Sequence, residues 1–148
     1  MDLNQDWREW LESLNSSRAD YIIVGGIALA IHGFPRSTGD LDVFVSSTKE
    51  NAQAVLRALG AFGFGSLGIS ESDLTTEGRV IQLGFPPRRI DILTSIDGVS
   101  WSDARAHAMS TTISGIPILV ISRSDLAANK RAVGRPQDLA DAARLEQE

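Results

Sequence analysis

The chain has no cysteine. That excludes a disulfide framework and any thiolate metal site, so a bound metal would have to rest on oxygen ligands or on the two histidines. No apolar run approaches the ~20 residues of a membrane span. The segment from Met1 to Asp6 is acidic and lacks the apolar centre of a signal peptide. A cytoplasmic protein with no membrane partner is therefore expected. Basic residues are in deficit, with a formal net charge of -5. This argues against broad nonspecific DNA binding, which needs a basic face. It does not exclude nucleic acid, because the carboxylates of a metal site count as negative until the metal is bound. Low-complexity tracts, internal repeats and dividing linkers are also missing.

What is present is an ordinary globular composition, 43% hydrophobic and 22% charged over 148 residues. That is enough for one domain spanning residues 1–148 with a real core. Leu3, Trp7, Trp10, Leu11 and Leu14 fall at helical spacing, capped by Asp2 or Asn4, and the two tryptophans read as core. Tyr21–Val24 reads as a buried strand, stopped by Gly25-Gly26. Ile27–Ile31 reads as a short buried helix with a glycine cap at Gly33. Residues 34–39 form a loop, and Asp40–Val45 is the next strand. Ser47 to Glu50 has the pattern of a capping box for a helix that stops at Gly60. Residues 62–68 read as a loop or an irregular edge, and residues 70–78 read as polar with one helical turn.

Val80–Phe85 and Arg89–Leu93 read as strands of a hairpin. Ser100 to Asp103 opens a helix reaching about Met109. Thr111–Ile113 and Ile116–Ile121 flank Ser114-Gly115 as a second hairpin. Ser122 to Asp125 opens a helix through Lys130 and Val133. It is broken by Gly134-Arg135-Pro136, and a last helix runs from Gln137 to the C-terminus. The total is about six strands and about five or six helices, an α+β pattern with a short mixed β-sheet flanked by helices.

The chemistry centres on Asp40 and Asp42. Residues two apart in a strand share a face, so both carboxylates project together and repel unless a cation neutralises them. Hard oxygen ligands suit Mg²⁺ or Mn²⁺. The bland alternative is a solvated strand end. Three further features shift the balance. Gly25 and Gly26 lie between a strand and a helix, where glycine lets a phosphate approach the backbone. Asp91 is a lone acid within an apolar strand and needs a partner. Arg36 precedes the aspartates, and Lys130 and Arg135 sit among the C-terminal helices as candidate triphosphate cations. Together these predict phosphoryl or nucleotidyl transfer, with Asp40, Asp42 and Asp91 as metal ligands and catalytic acids. Asp91 is also the candidate general base. His32 reads as a structural residue of the turn. Asp138 and Asp141 either anchor Lys130 and Arg135 or are ordinary acids of a helix face. The Arg88-Arg89 pair reads as solvated surface.

The run from Val24-Gly25-Gly26 to Thr38-Gly39-Asp40-Leu41-Asp42-Val43 resembles the signature of the DNA polymerase β-type nucleotidyltransferase superfamily. Asp91 matches its third acid. The fuller pattern through His32-Gly33-Phe34-Pro35-Arg36-Ser37-Thr38 resembles small bacterial members, akin to AbiEii-type toxin nucleotidyltransferases and to lincosamide and aminoglycoside nucleotidyltransferases. Asn129 to Asp141 looks like the Lys…Gly-Arg…Asp…Asp tail of such proteins. The resemblance spans roughly residues 21–145. It implies a nucleotidyltransferase fold, a divalent metal, an NTP such as ATP as substrate, and contact of Lys130 with the nucleotide phosphates. It also places Thr38 beside the nucleotide.

Two departures stand out. Gly26 replaces a serine common in the superfamily. The long C-terminal domain that helps larger relatives bind the acceptor is missing, which points to a homodimer or partner protein completing the site. The acceptor is an RNA 3′ end, a protein hydroxyl or a small molecule such as an antibiotic. Toxin–antitoxin and antibiotic-modifying roles both fit. The rival readings are a non-catalytic nucleotide- or partner-binding module on the same fold, and an interaction protein whose acids are solvated surface with Asp91 remote from the pair.

Overall fold

The computed structural model describes residues 2–65 and 67–147. Asn4 caps the first helix, α1 (Gln5–Ser16), by accepting the Trp7 N–H on its side-chain oxygen at 2.9 Å. Its buried face carries Trp7, Trp10, Leu11 and Leu14. Strand β1 (Tyr21–Val24) is buried along its whole length and runs directly into α2 (Gly25–Ile31). After the loop, β2 (Asp40–Val45) leads to α3 (Lys49–Phe62) and then α4 (Glu71–Thr75). The hairpin β3 (Val80–Leu83) and β4 (Arg89–Leu93) follows, then α5 (Trp101–His107). The chain closes with β5 (Met109–Ile113), β6 (Ile116–Val120), α6 (Arg123–Val133) and α7 (Pro136–Leu145). No described helix is long and apolar enough to cross a membrane.

The six strands form one mixed sheet in the order β3-β4-β2-β1-β6-β5. β1 is antiparallel to β2 and parallel to β6, and β2 is parallel to β4. The two hairpin partners, β3 and β5, take the edges. One register fixes everything that follows. Across β2 and β4, Asp40 is opposite Arg89 and Asp42 is opposite Asp91. Alternation then sends Leu41, Val43, Ile90 and Ile92 to the other face, where all four are buried. On that face α1 packs against α3, and Trp10 and Phe62 meet at 5.6 Å. The opposite face holds the carboxylates and is closed by α2, α6 and α7, with α6 packed along α7.

The expected mixed sheet flanked by helices is therefore the observed fold. Several boundaries differ for local physical reasons. α3 continues through Gly60 to Phe62, and Gly63 takes the left-handed cap at φ 97°. A helical glycine costs only about 1 kcal/mol, and Phe62 offsets this by packing on Trp10 and Phe64. The cap of α3 is Thr48, one residue later than expected, with its hydroxyl accepting from Asn51 N–H. The reciprocal capping box lies instead at Ser70 and Asp73, which makes the polar stretch a true helix, α4. α5 ends at His107, so β5 begins earlier than expected, at Met109. α2 starts on Gly25 itself rather than at Ile27. Ser66 of the expected 62–68 loop, Met1 and the terminal Glu148 lie outside the described residues.

Candidate functional site

A cleft of about 570 Å³ runs over the carboxylate face of the sheet. Its floor is Asp40, Asp42 and Asp91, whose carboxylates each present an oxygen within 4.8 Å of the others. The register of two neighbouring parallel strands brings them together, not sequence proximity. Asp91 is 6% exposed, and the other two are half-buried. Thr38 fixes Asp40: its hydroxyl donates to the Asp40 carbonyl at 3.0 Å and lies 3.3 Å from Asp40 Oδ1.

The glycines beside this floor are set by contact. A β-carbon on Gly25, where φ is +69°, would lie 2.0 Å from Asp42 Oδ2. No side chain fits there, so the backbone stays open beside the carboxylate. A β-carbon on Gly26 would lie 3.0 Å from Thr38 Oγ1. The hydroxyl lacking at position 26 thus has a neighbour in Thr38.

Electrostatics separate the three acids. Burial, then the charges of Asp40 and Asp91 and a hydrogen bond shared with Asp91, push Asp42 up to about 7, with Arg89 opposing. Asp40 and Asp91 share the Arg89 guanidinium. Its Nη2 is 2.9 Å from Asp40 Oδ2 and 3.3 Å from Asp91 Oδ2, and its Nε is 3.1 Å from Asp91 Oδ1. That last contact is an ion pair without hydrogen-bond alignment. Both Nε and Asp91 Oδ1 are buried, with no hydrogen-bond partner among the described residues. A buried carboxylate oxygen that faces a guanidinium without hydrogen-bond alignment, inside a group of three hard oxygen ligands, fits a Mg²⁺ or Mn²⁺ ion. These residues could hold such a metal.

The opposite wall comes from α6 and α7. Lys130 lines the cleft and lies 3.6 Å from Asp138 Oδ1 and 3.4 Å from Asp141 Oδ2. Arg135 also lines it and donates from Nε to Asp138 at 2.6 Å. This bond holds the Asp138 carboxyl below its usual range. Asp138 and Asp141 are each 3% exposed, so the anchoring alternative holds and they are not acids of an exposed face. Arg36 does not line the cleft. Its guanidinium forks onto Asp141 at 2.5 and 3.1 Å, behind Lys130. His32 is structural, donating from Nε2 to the Ile121 carbonyl at 2.7 Å.

Sequence reasoning missed Arg89 and the far wall, where Val80, Leu93, Ile96, Asp97, Asn129 and Val133 line the cleft. Arg89 had one legible signal. It precedes Asp91 by two positions in a strand and must share its face. Asn129 marks the far wall by donating to the Asp97 carbonyl at 2.9 Å.

Residues 1–145 match the model of the DUF6036 family, described as nucleotidyltransferases of unknown function, and the chain belongs to that family. No curated protein matches it. Among solved structures, it is similar to the crystal structure of a "putative nucleotidyltransferase" from Thermotoga maritima. The TM-score is 0.59 at 16% identity, with 94% of this chain and 87% of that chain covered. The chain therefore has a nucleotidyltransferase fold.

Proposed function

We propose that this member of the DUF6036 nucleotidyltransferase family transfers an NMP from an NTP to a hydroxyl acceptor and releases pyrophosphate. The observation that carries this reading is the convergence of Asp40, Asp42 and Asp91 within 4.8 Å, with the glycine backbone of residue 25 held against Asp42. The three carboxylates would hold Mg²⁺ or Mn²⁺. Bound there, the metal supplies charge neutralisation of the triphosphate and acidifies the attacking hydroxyl.

The chain's own groups do the rest. Gly25 and Gly26 leave backbone open to the phosphates. Lys130 and Arg135, steered by the buried Asp138 and Asp141, face the same cleft and neutralise phosphate oxygens. Thr38 orients Asp40, and Arg36 acts at a distance by fixing Asp141. The acceptor oxygen attacks the α-phosphorus, the bond to the β-phosphate oxygen breaks, and the hydroxyl proton passes to Asp91. Positioning and charge neutralisation supply most of the rate. The acceptor is an RNA 3′ end, a protein or a small molecule, and a homodimer or partner protein completes its binding. We place the reaction in the cytoplasm, with toxin–antitoxin and antibiotic-modifying roles both compatible.

The test is to incubate the protein with each α-labelled NTP, Mg²⁺ and a cell extract. Label should move to one class of acceptor and depend on the metal. NTP binding without transfer from any of the four nucleotides would instead support a non-catalytic binding module.

A further inference from the structure

Arg89 belongs to no carboxylate pair of the sequence pattern and does not line the cleft. Among the described residues it is nevertheless the cation held against Asp40 and Asp91. Its backbone is fixed on both sides. The N–H donates to the Gly39 carbonyl at 3.1 Å, and the carbonyl accepts the Trp7 indole N–H at 3.2 Å. The register places Arg89 opposite Asp40, one step along the same face from Asp42 and Asp91. From there the planar guanidinium reaches two carboxylates at once, at 2.9 Å from Asp40 Oδ2 and 3.1 Å from Asp91 Oδ1.

We propose that Arg89 is a built-in counter-ion of the metal-free site, which a divalent cation must displace from Asp40 and Asp91 in order to bind. This rests on the reading of the three carboxylates as a metal site. Arg89 holds two of the three carboxylates that would hold the metal. A guanidinium cannot lose its proton at any ordinary pH, so it leaves only by rotating away. Its side chain is 30% exposed, which leaves it an outward path. Arg89 thus compensates part of the charge of the three acids. The metal binds in competition, more weakly than the same acids would bind it alone, and Arg89 sets the metal concentration at which the site fills.

The experiment uses the full chain, stripped with chelator, as wild type, Arg89→Gln and Arg89→Lys. Mn²⁺ is titrated at pH 8 by calorimetry and by the paramagnetic resonance of the free ion. Thermal midpoints are read with and without saturating Mn²⁺. Arg89→Gln should bind Mn²⁺ about tenfold more tightly, the size of a typical coupling between two sites, and should gain more thermal stability from it than wild type. Arg89→Lys keeps the charge but loses the planar fork that bridges two carboxylates, so it should shift the same way by less. It also serves if Arg89→Gln does not fold. Unchanged or weaker Mn²⁺ binding in Arg89→Gln overturns the proposal, because the guanidinium would then order the carboxylates instead of competing for them. Arg89→Lys identical to wild type also overturns it, leaving only the field of a nearby charge. If none of the three proteins binds Mn²⁺, the metal-site reading itself fails and the counter-ion role goes with it.

Discussion

On the sheet side of the cleft, three carboxylates of β2 and β4 face the single guanidinium of Arg89. On the helical side, two buried carboxylates of α7 hold three cations, Arg36, Lys130 and Arg135. The same ingredients are combined in opposite proportion. Acids exceed cations on the sheet, and burial together with the neighbouring charges of Asp40 and Asp91 raises Asp42 to about 7. Cations exceed acids at the helices, and Asp138 is held below its usual range. One side is short of a cation and the other is short of an anion. On the proposed function, a metal-bound triphosphate would supply both, making the two sides halves of one site.

This contrast can be broken from either side. The largest expected effect is on catalysis. Asp42→Ala should reduce NMP transfer by at least about 10³-fold, or roughly 4 kcal/mol of barrier, measured as the initial rate of label transfer. Next comes Asp141→Ala. Removing this carboxylate strands Arg36 and a largely buried Lys130, and losing one partner of a buried pair costs about 3–5 kcal/mol. Urea unfolding should show it as a lower midpoint with an unchanged slope. Gly25→Ala should cost about 1–3 kcal/mol in the same assay, from a side chain forced to positive φ. It should also depress transfer, because its β-carbon would displace the Asp42 carboxylate.

The smallest expected effect concerns pH. In the folded protein Asp42 titrates near 7, well above its ordinary value of 3.8. The folded state therefore holds more protons than the unfolded state between those values, and stability falls as pH rises through that window. Asp40, Asp91 and Arg89 are the charges facing this group. The metal-free protein should lose a few °C of melting temperature between about pH 4 and pH 7, because partial exposure screens the effect. Asp42→Asn should remove that slope and raise the metal-free midpoint at pH 8. Asp138 acts in the opposite sense and at lower pH: its stabilisation is present above the unfolded carboxylate value and is lost on acidification. A metal-free protein whose stability rises from pH 4 to pH 7 would contradict the raised titration of the buried Asp42 beside Asp40 and Asp91.

Much of the fold was legible because its signals are local. Alternation in Asp40–Val45 and Arg89–Leu93, the serines before α5 and α6, and Gly134-Arg135-Pro136 between α6 and α7 each act within a few residues. The convergence of Asp91 on Asp40 and Asp42 was inferable only as a need for a partner, since the β2–β4 register is long-range. Arg89 was hidden by the same register. Read locally it belongs to a surface pair with Arg88, and only its strand partner Asp40 reveals its place. Arg36 was misleading for a related reason. Its nearness in sequence to the aspartates suggested a direct role at the phosphates, but the loop turns its guanidinium to Asp141, 105 residues away. The boundary of α3 was obscured because Gly60 faces solvent, where a helix tolerates it, and the aromatic packing that extends the helix is tertiary.

The most direct measurement is a crystal structure of the full chain with Mn²⁺ and a non-hydrolysable NTP analogue, located by anomalous scattering. Manganese peaks are expected among the carboxylates of Asp40, Asp42 and Asp91, with the guanidinium of Arg89 turned away from them and phosphates reaching Lys130 and Arg135. Manganese or triphosphate bound elsewhere, with the Arg89 bridge to Asp40 and Asp91 intact, would contradict this assignment.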